Sequence, residues 1–163
     1  MKYFKNHFGL TVTLVIGFLM SLMMTVAIMI ITKTPWNWVS FYTMLARIYL
    51  TVSLVLFFIP VNVLGEKFGT AVGCKPRTLA MTLVSNIIPT LIINTVLAAV
   101  VPALTIFYND AIPPEARMGA WKGAFFGGWL LTFVISYFCA LLAGKAGEAV
   151  AIKSVGLPGD PGK

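Results

Sequence analysis

Charge is what this sequence has least of. Asp, Glu, Lys and Arg together make up 10% of its 163 residues, and only five of these are acidic. A soluble domain of this size carries about a quarter charged residues, and too little polar surface remains here to cover a water-facing exterior. Histidine is scarcer still. A single His7, and two distant cysteines, Cys74 and Cys139, with no C-x-x-C pair, exclude a metal site and a disulfide framework. No nucleophile stands with a base, and no acids are paired, so the expectation is a protein that is not an enzyme and has no cofactor.

What the sequence has instead is apolar length. Hydrophobic residues account for 59% of the chain, and the mean hydropathy is +0.92. Four uncharged or nearly uncharged runs stand out: Leu10 to Ile31, Trp38 to Val63 interrupted by Arg47, Leu79 to Val101, and Met118 to Ala143 with Lys122 near its start. The first has 22 residues, which as a helix measures about 33 Å and crosses a hydrocarbon core of about 30 Å. It is too long for a signal-peptide core and no small-x-small cleavage site follows, so it reads as a retained helix. Pro89 within the third run predicts a kink, with Thr90 beside it to satisfy a freed carbonyl.

The net charge of +7 does not point to nucleic acid, because the basic residues form no aromatic-basic face. They carry topology instead. Lys2, Lys5, Lys67, Lys75, Arg77, Lys145, Lys153 and Lys163 fall on one side, against Lys33, Arg117 and Lys122 on the other, so both termini are expected in the cytoplasm. Trp36, Trp38, Tyr42, Tyr108 and Trp121 gather at the opposite boundary, where amphipathic rings prefer to sit.

The chain also repeats itself. TLVIGFLMSLMMT from Thr13 aligns with TLVSNIIPTLIIN from Thr82 at an offset of 69, and FGTAV from Phe68 aligns with AGEAV from Ala146 at 78. The predicted architecture is therefore all-α: four transmembrane helices as two parallel tandem two-helix repeats. Residues 1–75 form the first unit, 76–153 the second, and 154–163 a flexible cytoplasmic tail. Parallel repeats imply a pseudo-two-fold axis along the membrane normal.

Polar residues follow the repeat. Thr13, Gly17, Ser21 and Thr25 recur every fourth residue on one helix face, and their counterparts are Thr82, Asn86, Thr90 and Asn94. Ser40, Thr43, Arg47 and Thr51 form a stripe on the second helix, and Gly128, Thr132 and Ser136 one on the fourth. Polar groups avoid lipid, so these stripes should face the bundle interior. Two readings fit them: hydrogen-bonded glue between helices, or the lining of a path for a polar or anionic solute. On the second reading the candidates are Arg47, Asn86, Thr90, Asn94, Ser21, Thr25 and Thr51. Arg47 is the sharpest of these, a cation inside a span with no carboxylate in any of the four runs. Its options are snorkelling to the headgroups, capture by a group such as Asn94, or an anionic ligand. The missing acids also argue against proton- or sodium-coupled transport.

Gly119, Gly123 and Gly127 form two overlapping G-x-x-x-G steps, which suit close helix packing inside the protein or between copies.

Met20, Ser21, Met23, Met24 and Thr25, with the later Pro60, resemble the pattern of a small bacterial two-helix membrane family of unknown function. The resemblance covers about residues 10–68 and, more faintly, 79–150. In the second unit Pro89-Thr90 replaces Met20-Ser21, and Phe138 stands in place of Pro60. It implies a bacterial inner-membrane location and no particular activity. The expected partners are the lipid bilayer, with further copies or a larger membrane complex, either as a small transporter or channel-like protein or as an accessory subunit.

Overall fold

Two prolines decide how the apolar runs become helices. The computed structural model describes the backbone of residues 8–31, 33 and 35–155, with side chains mainly between 14 and 146. Helix α1 spans Phe8–Ile31 and α2 spans Trp38–Phe58. Asn37 caps α2, its side chain accepting a hydrogen bond from the Val39 N–H at 2.9 Å. The expected second span reached Val63, but α2 stops earlier because Pro60 holds the preceding residue extended, with Ile59 at φ −115° and ψ 121°. The chain then starts a separate helix, α3, over Val61–Ala71.

Pro89 acts more gently. It interrupts the third run at Asn86, giving α4 over Leu79–Ser85 and α5 over Ile87–Ile106. Asn86 keeps helical angles of φ −77° and ψ −14°, so the two pieces continue as one interrupted span over Leu79–Ile106. The proline has no N–H to offer the Ser85 carbonyl, which is the physical origin of the interruption.

Helix α6 runs from Pro114 to Val155. Its 42 residues measure about 63 Å, well beyond the expected fourth span. It includes Ser154 and Val155, so the start of the expected flexible tail is helical; residues 156–163 lie outside the described residues.

Among the described residues there is no strand, and three helical segments are long and apolar enough to cross a membrane: Trp38–Phe58, Leu79–Ile106 and Pro114–Ala146. The described apolar part of α1, Leu14–Ile30, is shorter. This is the architecture of a helical membrane protein. Helix α1 packs against α2 and α6, and α5 packs against the same two, which closes a four-membered ring. The interior is filled by Met20 and Met24 of α1, Ile48 and Val52 of α2, Ile93 and Leu97 of α5, and Cys139 and Ala143 of α6. Trp36, Trp38, Phe41 and Tyr42 stack around the start of α2, with ring centroids 5.2–6.2 Å apart.

At the other end, α3 buries Val61, Gly65 and Gly69 on one face and exposes Asn62, Glu66 and Lys67. The glycines are there because α4 and α5 come so close. A Cβ on Gly65 would strike the Ser85 carbonyl oxygen and meet Pro89 at 3.0 Å, and one on Gly69 would meet Met81 Sδ at 2.6 Å. The glycine backbone thus covers the carbonyl that Pro89 leaves without its helical donor.

Gly65→Ala is therefore expected to destabilise the protein by about 1–3 kcal/mol, the range for overpacking. Gly119→Ala, where a Cβ meets nothing within 4 Å, should be neutral or slightly stabilising through helix propensity. Thermal unfolding of both variants in detergent checks the contrast.

Candidate functional site

The polar stripes turn inward, and most of them are spent on hydrogen bonds. Ser21, Thr25, Thr90, Asn94 and Ser136 are fully buried at 0% exposure, and Thr51 is nearly so. Ser21 and Thr25 donate to the carbonyls one turn back, Gly17 O at 2.7 Å and Ser21 O at 2.8 Å. Thr51 does the same to Arg47 O at 2.7 Å. Such back-bonding hides a hydroxyl inside its own helix and leaves no donor for a passing solute.

The stripes are not uniform. Gly17 is buried, Asn86, Gly128 and Thr132 are half-buried, and Thr82, Ser40 and Thr43 are exposed. The inward face of the third span therefore begins at Asn86, after the interruption. The side chain of Thr13 lies outside the described residues.

Asn94 ties three helices at one point. Its Nδ2 donates to Trp129 O of α6 at 3.1 Å, and its Oδ1 accepts from Ser136 Oγ at 3.1 Å. Met24 Sδ of α1 stands 3.4 Å from the same Ser136 Oγ as a second acceptor. One turn away, Thr90 Oγ1 is buried with no hydrogen-bond partner among the described residues, so it does not satisfy the carbonyl freed by Pro89 as expected.

A second set of contacts joins α6 to α4, α5 and the Asn86 between them. Trp121 Nε1 donates to Ala99 O at 2.8 Å, Trp129 Nε1 to Thr95 Oγ1 at 3.2 Å, and the Tyr137 hydroxyl to Leu83 O at 2.8 Å. Asn86 Nδ2 donates back to Tyr137 O at 3.4 Å. Trp121, Phe125, Trp129, Phe133 and Tyr137 recur every fourth residue and form a column. Trp121 stacks on Phe125 at 5.7 Å, Trp129 on Phe133 at 5.7 Å, and Phe133 leans on Tyr137 at 6.5 Å. Sequence reasoning treated Trp121 as a boundary residue and missed the column. The signal was its spacing of four, which places the rings on one face.

Arg47 and Asn94 do not meet. Arg47 Nη1 donates to Thr105 Oγ1 at 3.1 Å. Thr105 stands 11 residues along the chain from Asn94, about 16 Å along a helix axis. The guanidinium thus reaches toward the end of α5 and away from the amide, and no carboxylate pairs with it among the described residues.

Beside Asn94 lies a cavity of about 140 Å³, which Arg47 does not line. Met24, Ile28, Ile48 and Asn94 line it, and Met24, Ile48 and Asn94 are each exposed by 1% or less. Leu97, Ala98, Val101 and Pro102 of α5, with Thr132 of α6, continue its wall. Apart from Asn94 and Thr132 these side chains are apolar, so the space is unsuited to a hydrated ion.

Gly119, Gly123 and Gly127 lie on the outer surface of α6, with nothing of this chain within 4 Å of a Cβ at any of them. Close packing inside the protomer does not use them. Among the described residues no three His, Cys, Asp or Glu side chains come together. Compared with models of protein families, with curated proteins and with solved structures, the chain matches none.

Two stability measurements probe the interior. Thr90→Val removes an unpartnered hydroxyl at nearly constant shape, and should leave stability unchanged or raise it. Asn94→Ala and Ser136→Ala should each lower stability, by about 0.6–2 kcal/mol per lost interhelical hydrogen bond. The double variant should cost less than the sum, because both remove the same bond.

Proposed function

We propose that the protein is a non-catalytic subunit of a bacterial inner membrane that assembles with a further transmembrane helix through the outer face of α6. It has four spans in two tandem units and cytoplasmic termini. The observation that carries this reading is the bare glycine face. Gly119, Gly123 and Gly127 offer a smooth groove along a helix whose most apolar stretch is only 11% buried, against 28% for Trp38–Phe58 and 33% for Leu79–Ile106. Small residues at this spacing let two helix backbones approach closely, and association in lipid rests on such packing.

The four-span count is supported by the length of α1, 24 residues, which is about 36 Å. The duplication is supported by two buried pairs at the offset of 69, Ser21 with Thr90 and Thr25 with Asn94. It is also supported by the ring, in which α1 and α5 share the same two neighbours.

A path for a polar or anionic solute, the other reading of the stripes, has less in its favour. Ser21, Thr25, Thr51, Asn94 and Ser136 are occupied by bonds within and between helices. The space beside Asn94 has a mostly apolar wall.

Gly123→Leu tests the proposal with little risk to the fold, since the new side chain projects where this chain has no atoms. Native electrophoresis and cross-linking in the membrane should show a higher-order species for the unaltered protein and its loss in the variant, at unchanged thermal stability. A single protomer in both cases would overturn the reading.

A further inference from the structure

Arg47 and the apolar cavity make better sense together than apart. The cavity wall ends at Val101 and Pro102, and Thr105 stands one turn beyond Val101, with its Oγ1 donating to Val101 O at 2.9 Å. Arg47 rests on that Thr105 at 3.1 Å. On the facing helix, Arg47 is followed directly by Ile48, which lines the cavity. A guanidinium therefore stands within a turn of the rim of an apolar pocket that lies within a membrane-spanning bundle.

Each half selects a different part of one ligand. The guanidinium is permanently charged and presents a planar fork of donors that matches a carboxylate or a phosphate. It has one neutral hydroxyl as its partner and no carboxylate among the described residues, so most of its donors are left for an anion. The cavity of about 140 Å³ is close to the roughly 150 Å³ of an apolar cavity that takes up benzene, space for a short length of hydrocarbon and too small for a bulky solute. Met24 and Pro102 supply a polarizable and a rigid surface, and the Asn94 amide that lines the cavity is already engaged with Trp129 and Ser136.

We propose that Arg47 and this cavity form a binding site for an anionic amphiphile, with its carboxylate or phosphate on Arg47 and the adjoining part of its acyl chain in the cavity. Two sources share this chemistry, a free fatty acid and an anionic phospholipid that places one chain in the bundle. The site lies apart from the glycine face of α6 and does not depend on the assembly proposed above.

Native mass spectrometry of the full chain released from detergent, titrated with defined probes, tests the site. The probes are decanoate, decanol, phosphatidylglycerol and phosphatidylcholine. Retention of decanoate over decanol identifies a free fatty acid as the source, and retention of phosphatidylglycerol over phosphatidylcholine identifies a phospholipid. In either case the preference should be at least about tenfold, equivalent to about 1.4 kcal/mol. Arg47→Gln should abolish the preference for the anion, and Arg47→Lys should keep part of it. Ala98→Leu, which fills the cavity, should weaken binding of the anion while Arg47 remains. Far-ultraviolet circular dichroism and thermal unfolding establish that each variant is folded. Equal retention of charged and uncharged probes would overturn the proposal, as would a preference that survives Arg47→Gln. Undiminished binding in folded Ala98→Leu would do the same.

Discussion

The bundle depends on a rule of its solvent: inside a bilayer, a polar group must find its partner within the protein. Asn94 is where that rule has the largest effect. An amide has more hydrogen-bonding capacity to satisfy than a hydroxyl, and a serine or threonine can turn back on its own helix, as Ser21, Thr25 and Thr51 do. Asn94 reaches across instead, to Trp129 and Ser136 of α6, and Ser136 in turn touches Met24 of α1. Three helices thereby acquire a fixed rotation and height relative to one another. Apolar packing alone would not select these, because Leu against Leu is hardly different from Leu against a lipid tail.

The backbone obeys the same rule at the prolines. Near the interruption at Asn86, the Tyr137 hydroxyl donates to Leu83 O and the Gly65 backbone lies against Ser85 O. Pro60 contributes by ending α2 and sending the chain into α3, which brings Gly65 to that position. Residues far apart in sequence thus combine around the place where one helix is interrupted.

The apolar runs made the helices readable from composition, and a period of four made Gly17, Ser21, Thr25, Thr90 and Asn94 readable as inward-facing. An irregularity in the third run was readable from Pro89, and the structure has it as an interruption at Asn86. The division of the second run was not, despite Pro60, because whether a proline bends or ends a helix depends on what packs beside it. The destination of Arg47 was equally hidden, since a long flexible side chain has several partners within reach and Thr105 belongs to another element. The aromatic column of α6 was legible in principle. Its rings were counted among a generally apolar sequence, and their polar tips gain meaning only once Ala99, Thr95 and Leu83 are placed opposite them.

Helix α6 has a mechanical consequence. It continues without interruption past Ala146, the end of its apolar stretch, to Val155, which adds nine residues or about 14 Å of rod. A helix tilts when the bilayer around it changes thickness. Because the rod is unbroken, its far end moves like the hand of a dial: it stands about 38 Å from the middle of the apolar stretch, so a tilt of about 10° displaces it by about 7 Å. Small changes in the surrounding lipid are thus converted into displacements comparable to the radius of a helix.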